Sequence, residues 1–164
     1  MSKNKPKEKE QTETGLISKN RQAYFNYEIL EEFEAGIVLT GSEVKSLRLN
    51  GCQIVDAYAD LRSEGETTEV FLTNLNIPVY QHARHTNHKP SRDRKLLLHK
   101  REIKKFIGRI KQKGLTLVAL SLYFNKKGVA KVRLGLGRGK TSSDKRETIK
   151  EREWNRNKQR MLKE

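Results

Sequence analysis

VALSLYFNKKGVAKVRLGLG, residues 118–137, is the stretch that decides the fold. Val118, Leu120, Leu122 and Phe124 alternate with small or polar residues, the period of a half-buried strand. Asn125-Lys126-Lys127-Gly128 supplies turn chemistry. Ala130, Val132, Leu134 and Leu136 then alternate again and leave Lys131 and Arg133 outward. Two such runs joined by a short polar turn predict an antiparallel hairpin.

Upstream, Ile103, Phe106, Ile107 and Ile110 fall on one face of a helix near residues 100–113, and Gly114 stops it. Arg94–Leu98 reads as a short strand, and Val70–Leu75 as another. Val55, Ala57, Ala59 and Leu61 alternate with polar residues in a further strand, with a turn at residues 63–66. Gly41-Ser42-Glu43 opens a short helix in which Val44 and Leu47 face inward and Lys45 and Arg48 face out; Gly51 ends it. From Tyr24, the residues Phe25, Tyr27, Ile29 and Phe33 predict a strand continued by Ile37-Val38-Leu39. About six short strands and at least two helices predict a mainly β fold with helices. The architecture expected is a small antiparallel barrel of the oligonucleotide-binding type, flanked by two or three helices, with disordered termini.

Residues 1–15 carry no apolar residue after Met1 and are expected to be a disordered arm. Residues 16–137 form the expected folded domain and 138–164 a basic tail. The chain of 164 residues carries net charge +15. That charge is uneven: residues 20–81 sum to −6, 82–113 to +10 and 138–164 to +5. A +10 cluster within 32 residues is the electrostatic footprint of a nucleic-acid partner rather than uniform solubility. No apolar run is long enough for a membrane span or a signal peptide, so no membrane partner is expected. The single cysteine, Cys52, excludes an internal disulfide framework and fits a reducing cytoplasm.

Catalytic and metal chemistry finds little support. Gly135-Leu136-Gly137-Arg138-Gly139-Lys140-Thr141 approaches a phosphate-binding loop, but the first glycine is one residue off, so a flexible glycine exit from the barrel is the better reading. His82, His85 and His88 could hold a metal or serve a metal-dependent RNA hydrolase. No cysteine lies near them and Asp93 is the only close carboxylate, so no metal, cofactor or catalytic residue is expected. Cys52 reads as a small apolar filler, and Glu31, Glu32, Glu34 and Glu43 as exposed carboxylates unless a partner is found for them. Tyr24, beside Arg21, offers a stacking face to an unpaired base; the alternative is a core aromatic at the barrel's edge.

Several ordered stretches together resemble the SsrA-binding protein family of bacterial trans-translation. They are Asn20-Arg21 with Tyr24-Phe25, residues 33–39 (FEAGIVL), residues 41–48 (GSEVKSLR), residues 94–98 (RKLLL), residues 100–103 (KREI) and residues 113–116 (KGLT). The end adds Gly139-Lys140, residues 144–147 (DKRE) and residues 152–154 (REW). The resemblance implies an oligonucleotide-binding barrel and a non-enzymatic adaptor. Such an adaptor binds the tRNA-like domain of transfer-messenger RNA and delivers it, with elongation factor Tu, to stalled ribosomes. It further implies RNA contacts at Asn20, Arg21, Tyr24, Glu34, Lys45, Leu97 and Lys131. Arg48 and Arg133, outward on the same elements as Lys45 and Lys131, complete the candidate set. A basic ribosome-associated protein acting in assembly is the alternative.

The resemblance also implies tail residues acting on the ribosome, at its small-subunit RNA, decoding region and messenger channel: Asp144, Lys145, Arg146, Ile149, Met161 and Leu162. Ser143 stands where some members have a histidine or aromatic residue, and Thr141 where many continue a basic run. The tail has no Pro and no Gly after Gly139, so it can be helical, with Asp144 and Glu147 read as an N-cap pair. Its apolar residues are too few to bury a helix: Trp154 and Met161 share a face, and Ile149 lies elsewhere. Arg152, Arg156 and Arg160 form an i+4 stripe of positive charge. The tail is therefore expected to be coil when free and helical in the ribosome's empty messenger channel.

Overall fold

The computed structural model describes residues 15–111 and 114–162, so the expected disorder of residues 1–14 lies outside the described residues. The elements in chain order are β1 (Leu16–Lys19), α1 (Ala23–Asn26), β2 (Tyr27–Ile37), α2 (Gly41–Asn50), β3 (Tyr58–Glu64), β4 (Thr67–Thr73), β5 (Arg94–Leu97), α3 (Lys100–Ile110), β6 (Leu115–Phe124), β7 (Ala130–Gly139) and α4 (Ser142–Met161). The described residues thus hold seven strands and four helices, against the six strands and two or three helices expected. The additions are β1, the single-turn α1 and α4, which lies in the tail expected to be coil when free. Residues 23–26, read as the start of a strand, are helical instead: Asn26 N–H bonds back to the Gln22 carbonyl at 2.9 Å.

All strand pairings are antiparallel. The expected hairpin is β6–β7, with Phe124 opposite Ala130 and Leu117 opposite Leu136. β7 continues to β2, β2 to β5, β5 to β4, β4 to β3, and β3 back to β6. The succession of pairings therefore returns to the strand where it began, and β1 adds to the far half of β6.

Two bulges decide which residues face the core. In β6 the register slips between Ala119 and Ser121, and in β2 between Ile29 and Glu31. Each bulge reverses the alternation. Leu117, Ala119 and Leu122 enter the main core, whereas Val118 and Leu120 join Ala23 in a smaller cluster on the opposite face, packed by Tyr27 and Ile29. The expectation that Val118, Leu120, Leu122 and Phe124 share one face is thereby corrected. The alternation in β7 holds throughout: Ala130, Val132, Leu134 and Leu136 all lie in the main core.

The smaller cluster also explains the glycines of β7. A Cβ at Gly135 would stand 2.9 Å from Leu120 Cδ1 and 3.2 Å from Ile29, and one at Gly137 would stand 3.1 Å from the Glu28 carbonyl oxygen. Gly135 and Gly137 are buried strand residues over which this cluster lies, not a flexible exit or a phosphate-binding loop.

Candidate nucleic-acid interface

The smaller cluster anchors α1, and α1 anchors the surface beside it. Asn20 is buried, and its amide donates to the carbonyls of Val55 at 2.9 Å and Ala119 at 3.0 Å. Its oxygen accepts from the Ala23 N–H at 3.1 Å. Asn20 therefore holds α1 against β6 and does not present its side chain outward. Arg21 is exposed on the turn before α1.

Past the bulge at residue 30, Phe33 points inward and meets Phe106 of α3 edge-on, at 4.4 Å between ring centres. Glu32 and Glu34 consequently point out beside the outward residues of β7. Glu32 accepts from the Tyr24 hydroxyl at 2.8 Å and lies 3.8 Å from the Arg133 guanidinium. Glu34 accepts from the Tyr123 hydroxyl and lies 4.0 Å from the Lys131 ammonium. Burial, followed by the hydrogen bond to Glu34, pushes the Tyr123 hydroxyl well above the ordinary phenol range, so it stays a donor. The structure thus gathers Tyr24, Glu34, Lys131 and Arg133 on one outward face. The two acids hold the two cations and two tyrosines in place and leave the Tyr24 ring half exposed.

Leu97 is exposed and rests against Gly36, whose partner across β7 is Lys131, so it borders the same face. Lys45 and Arg48 lie on α2, each over an aromatic ring: Lys45 at 5.7 Å from Tyr80 and Arg48 at 4.5 Å from Phe124. Arg48 also lies close to Gly128 in the β6–β7 turn. Both remain exposed.

Three sequence readings need revision. Glu43 is not exposed, although it opens a helix as expected. It is the third residue of α2, where its carboxylate caps the Thr40 N–H at 2.8 Å. It also receives Arg94 at 2.9 Å and Arg92 at 2.6 Å, and Arg94 gives further N–H groups to the carbonyls of Leu75, Pro90 and Arg92. The Thr40-x-x-Glu43 spacing was the available signal for this capping role. Burial pushes the Glu43 carboxyl upward, but the bonds from Arg92 and Thr40 and the charges of Arg94 and Arg92 outweigh it and hold it below its ordinary value.

His88 is buried as well. One ring nitrogen meets Ser42 Oγ at 3.0 Å, and the other lies 3.1 Å and 3.0 Å from the carbonyl oxygens of Ile77 and Pro78. It ties the 77–88 loop to α2, while His82 stacks edge-on against Tyr80. Among the described residues no three His, Cys, Asp or Glu side chains gather as metal ligands. Cys52 packs against the main core, and burial pushes its thiol up to about 11.

The third revision concerns the start of the tail. Thr141, not Asp144, caps α4. Asp144 N–H donates to Thr141 Oγ1 at 3.3 Å, and Asp144 Oδ2 accepts from the Thr141 N–H at 2.9 Å. The Thr141 hydroxyl, donating to Asp144 Oδ2 at 2.8 Å, and then the Thr141 N–H hold the Asp144 carboxyl below its ordinary value. Lys140 joins helix to body: its N–H donates to the Asn26 carbonyl at 2.8 Å, and its ammonium to the Tyr24 carbonyl at 3.2 Å. Arg152 lies 5.9 Å from the Phe25 ring. Beyond that, α4 buries no residue. Lys145, Arg146, Arg156 and Arg160 lie on its course, Ile149 is half exposed, and Trp154, Met161 and Leu162 are 70 %, 77 % and 77 % exposed.

No helix among the described residues is long and apolar enough to cross a membrane. The family model described as SmpB protein matches residues 17–164. The SsrA-binding protein of Allorhizobium ampelinum is 51 % identical over 158 residues, covering 96 % of this chain and 98 % of that protein. That of Wolbachia pipientis wMel is 54 % identical over 148 residues, covering 90 % and 97 %. A solved structure described as "tmRNA-SmpB: a journey to the center of the bacterial ribosome" contains a chain 46 % identical to this one. The TM-score is 0.63, and the match covers 81 % of this chain and 94 % of that one. With this geometry and these likenesses, the chain belongs to the SmpB family of SsrA-binding proteins.

Proposed function

We propose that this protein is a non-enzymatic RNA-binding adaptor of trans-translation. It binds the tRNA-like domain of transfer-messenger RNA and delivers it to stalled ribosomes in the cytoplasm. The observation that carries the reading is the outward face of β2 and β7, where Glu32 and Glu34 hold Arg133, Lys131 and two tyrosines. The likeness to proteins named for SsrA binding supports the choice of RNA. Tyr24, Arg21, Lys131, Arg133 and the bordering Leu97 make the RNA contacts, with Lys45 and Arg48 on α2; Asn20 acts by positioning α1. The return of the strand pairings to β6 supports an oligonucleotide-binding barrel as the scaffold.

The tail, residues 138–164, serves the ribosome rather than the first RNA. Although Ser142–Met161 is helical in the structure, a helix that buries no residue has little support from the body, and we infer that in water the free tail passes largely to coil. An RNA-lined channel neutralises Arg152, Arg156 and Arg160 and draws the helix out along the vacant messenger path. Asp144, Lys145 and Arg146 then lie nearest the decoding region, with Ser143 hydrogen bonding where a ring would stack, and Ile149, Trp154, Met161 and Leu162 reach further in. Elongation factor Tu joins through the charged RNA.

The test is recovery of RNA with the full chain from bacterial lysate. Enrichment of one small tRNA-like RNA is the expected result. Recovery of ribosomal RNA alone would replace this reading with an assembly role.

A further inference from the structure

A cleft of about 580 Å³ opens between α1, the 55–58 segment and the first half of β6. In a chain of net charge +15, its lining contains no lysine, arginine or histidine. Such a site does not recognise phosphate. Its floor is apolar, formed by Ala23, Ala57 and Val118. Its rim carries the carboxamides of Gln22, Asn26 and Asn74, the Asp56 carboxylate and the rings of Tyr27 and Tyr58. An apolar floor beneath a rim of carboxamides, one carboxylate and ring faces suits a planar, uncharged, hydrogen-bonding group.

The cleft is also held in shape. Buried Asn20 fastens its walls by bonding the carbonyls of Val55 and Ala119 and the N–H of Ala23. Asn74, on its rim, sits at φ 60°, a left-handed backbone that side chains other than glycine adopt infrequently. Tyr58 stays 39 % exposed at the mouth, although it pairs with Val118 and Thr73 on either side.

We infer that this cleft receives one unstacked guanine base of a bound RNA. Guanine alone among the bases presents two adjacent N–H donors on its Watson–Crick edge, at N1 and N2, and a carboxylate accepts both. Asp56 supplies that acceptor, the carboxamides meet the remaining edge, and Tyr27 or Tyr58 stacks on the base. Arg21, exposed on the turn just before α1, stands outside the cleft, where the nucleotide's phosphate would lie. The inference rests on the reading of the chain as an RNA binder and adds a base-specific site apart from the β2–β7 face.

Two measurements test it. The first titrates the isotope-labelled full chain with guanosine, adenosine, cytidine and uridine, each alone, into the millimolar range. Guanosine should give saturable amide shifts at residues 20–27, 55–58, 74 and 116–118, and the other three should give weaker ones. Equal response to all four nucleosides, or none at these residues, overturns the inference. The second measures binding of transfer-messenger RNA by Asp56→Asn across a salt series, with the thermal midpoint as a check on folding. Removing a negative charge from the surface of an RNA binder should tighten binding if Asp56 merely repels phosphates. A guanine acceptor predicts the opposite: about tenfold weaker binding with an unchanged salt slope, since no phosphate contact is lost. Tighter or unchanged binding, or a changed slope, overturns it. If the wild-type chain fails to bind transfer-messenger RNA while guanosine still fills the cleft, the proposed function fails and the base site stands.

Discussion

Glu43 and Arg94 meet at 2.9 Å with neither side chain exposed to solvent. The pair joins the first turn of α2 to β5, and through Arg94 to the carbonyls of Leu75 and Pro90. Glu43→Ala leaves a buried guanidinium without its anion, which costs about 3–5 kcal/mol. Arg94→Met should cost less, because Arg92 still serves Glu43. Urea midpoints of the two variants check the order.

The same carboxylate sets an acid limit. Glu43 ionises more readily in the folded chain than in the unfolded one, whose ordinary value is 4.5. Its contribution is therefore complete above that range and is lost as the pH falls through the lower folded value. Thermal midpoints measured at falling pH should drop in the wild type, and drop less in Glu43→Gln, which starts lower.

On the β2–β7 face, Lys131→Ala should weaken RNA binding at all sequences and flatten the salt dependence by somewhat under one unit. Glu34→Ala should act differently. It frees Tyr123 and Lys131 from their anchor, so it should weaken binding to tRNA-like RNA more than binding to unrelated RNA. Equal or improved affinity for tRNA-like RNA would remove Glu34 from the site.

Truncation after Ser142 should leave transfer-messenger RNA affinity nearly intact and abolish tagging on stalled ribosomes. Charge reversal at Arg152, Arg156 and Arg160 should do the same, with Arg-to-Lys changes milder. In trifluoroethanol, where the tail can be driven helical, Thr141→Ala should lower the helical signal. Because Thr141 holds the Asp144 carboxyl below its ordinary 3.8, that cap acts above this value and fades as the pH falls below it. A tail deletion that still tags at full rate would refute the tail's role.

The thiol of Cys52, raised to about 11 by burial, stays protonated at neutral pH. Alkylation by iodoacetamide at pH 8 should be far slower in the folded chain than in urea.

The hairpin of β6 and β7 was legible because Ala130, Val132, Leu134 and Leu136 keep strict alternation along β7, where neither bulge places its extra residue. The partner strand misled because the bulge at Leu120 reverses its faces, and a bulge leaves no mark in a run that is apolar on both sides. The helix Ala23–Asn26 was missed because one turn is too short for a 3.6-residue period to declare itself, and the aromatic residues Tyr24 and Phe25 favour strands. Among site residues, the outward Lys131 and Arg133 follow from period two. The burial of Asn20, His88 and Arg94 does not, because each is satisfied by carbonyls distant in sequence.

The Thr141 cap fixes where α4 begins, and Lys140, pinned to Asn26, fixes it relative to the body. Twenty helical residues starting from a set point make an arm of about 30 Å whose side chains have a defined azimuth. The tail therefore carries a phase as well as a length. One residue inserted inside α4, between Lys150 and Glu151, would lengthen the arm trivially but turn the stripe of Arg152, Arg156 and Arg160 by about 100° relative to the pinned end. Four inserted residues, close to one full turn, would nearly restore it. A channel that reads only charge would tolerate both insertions alike, whereas one with a groove would accept the second and refuse the first.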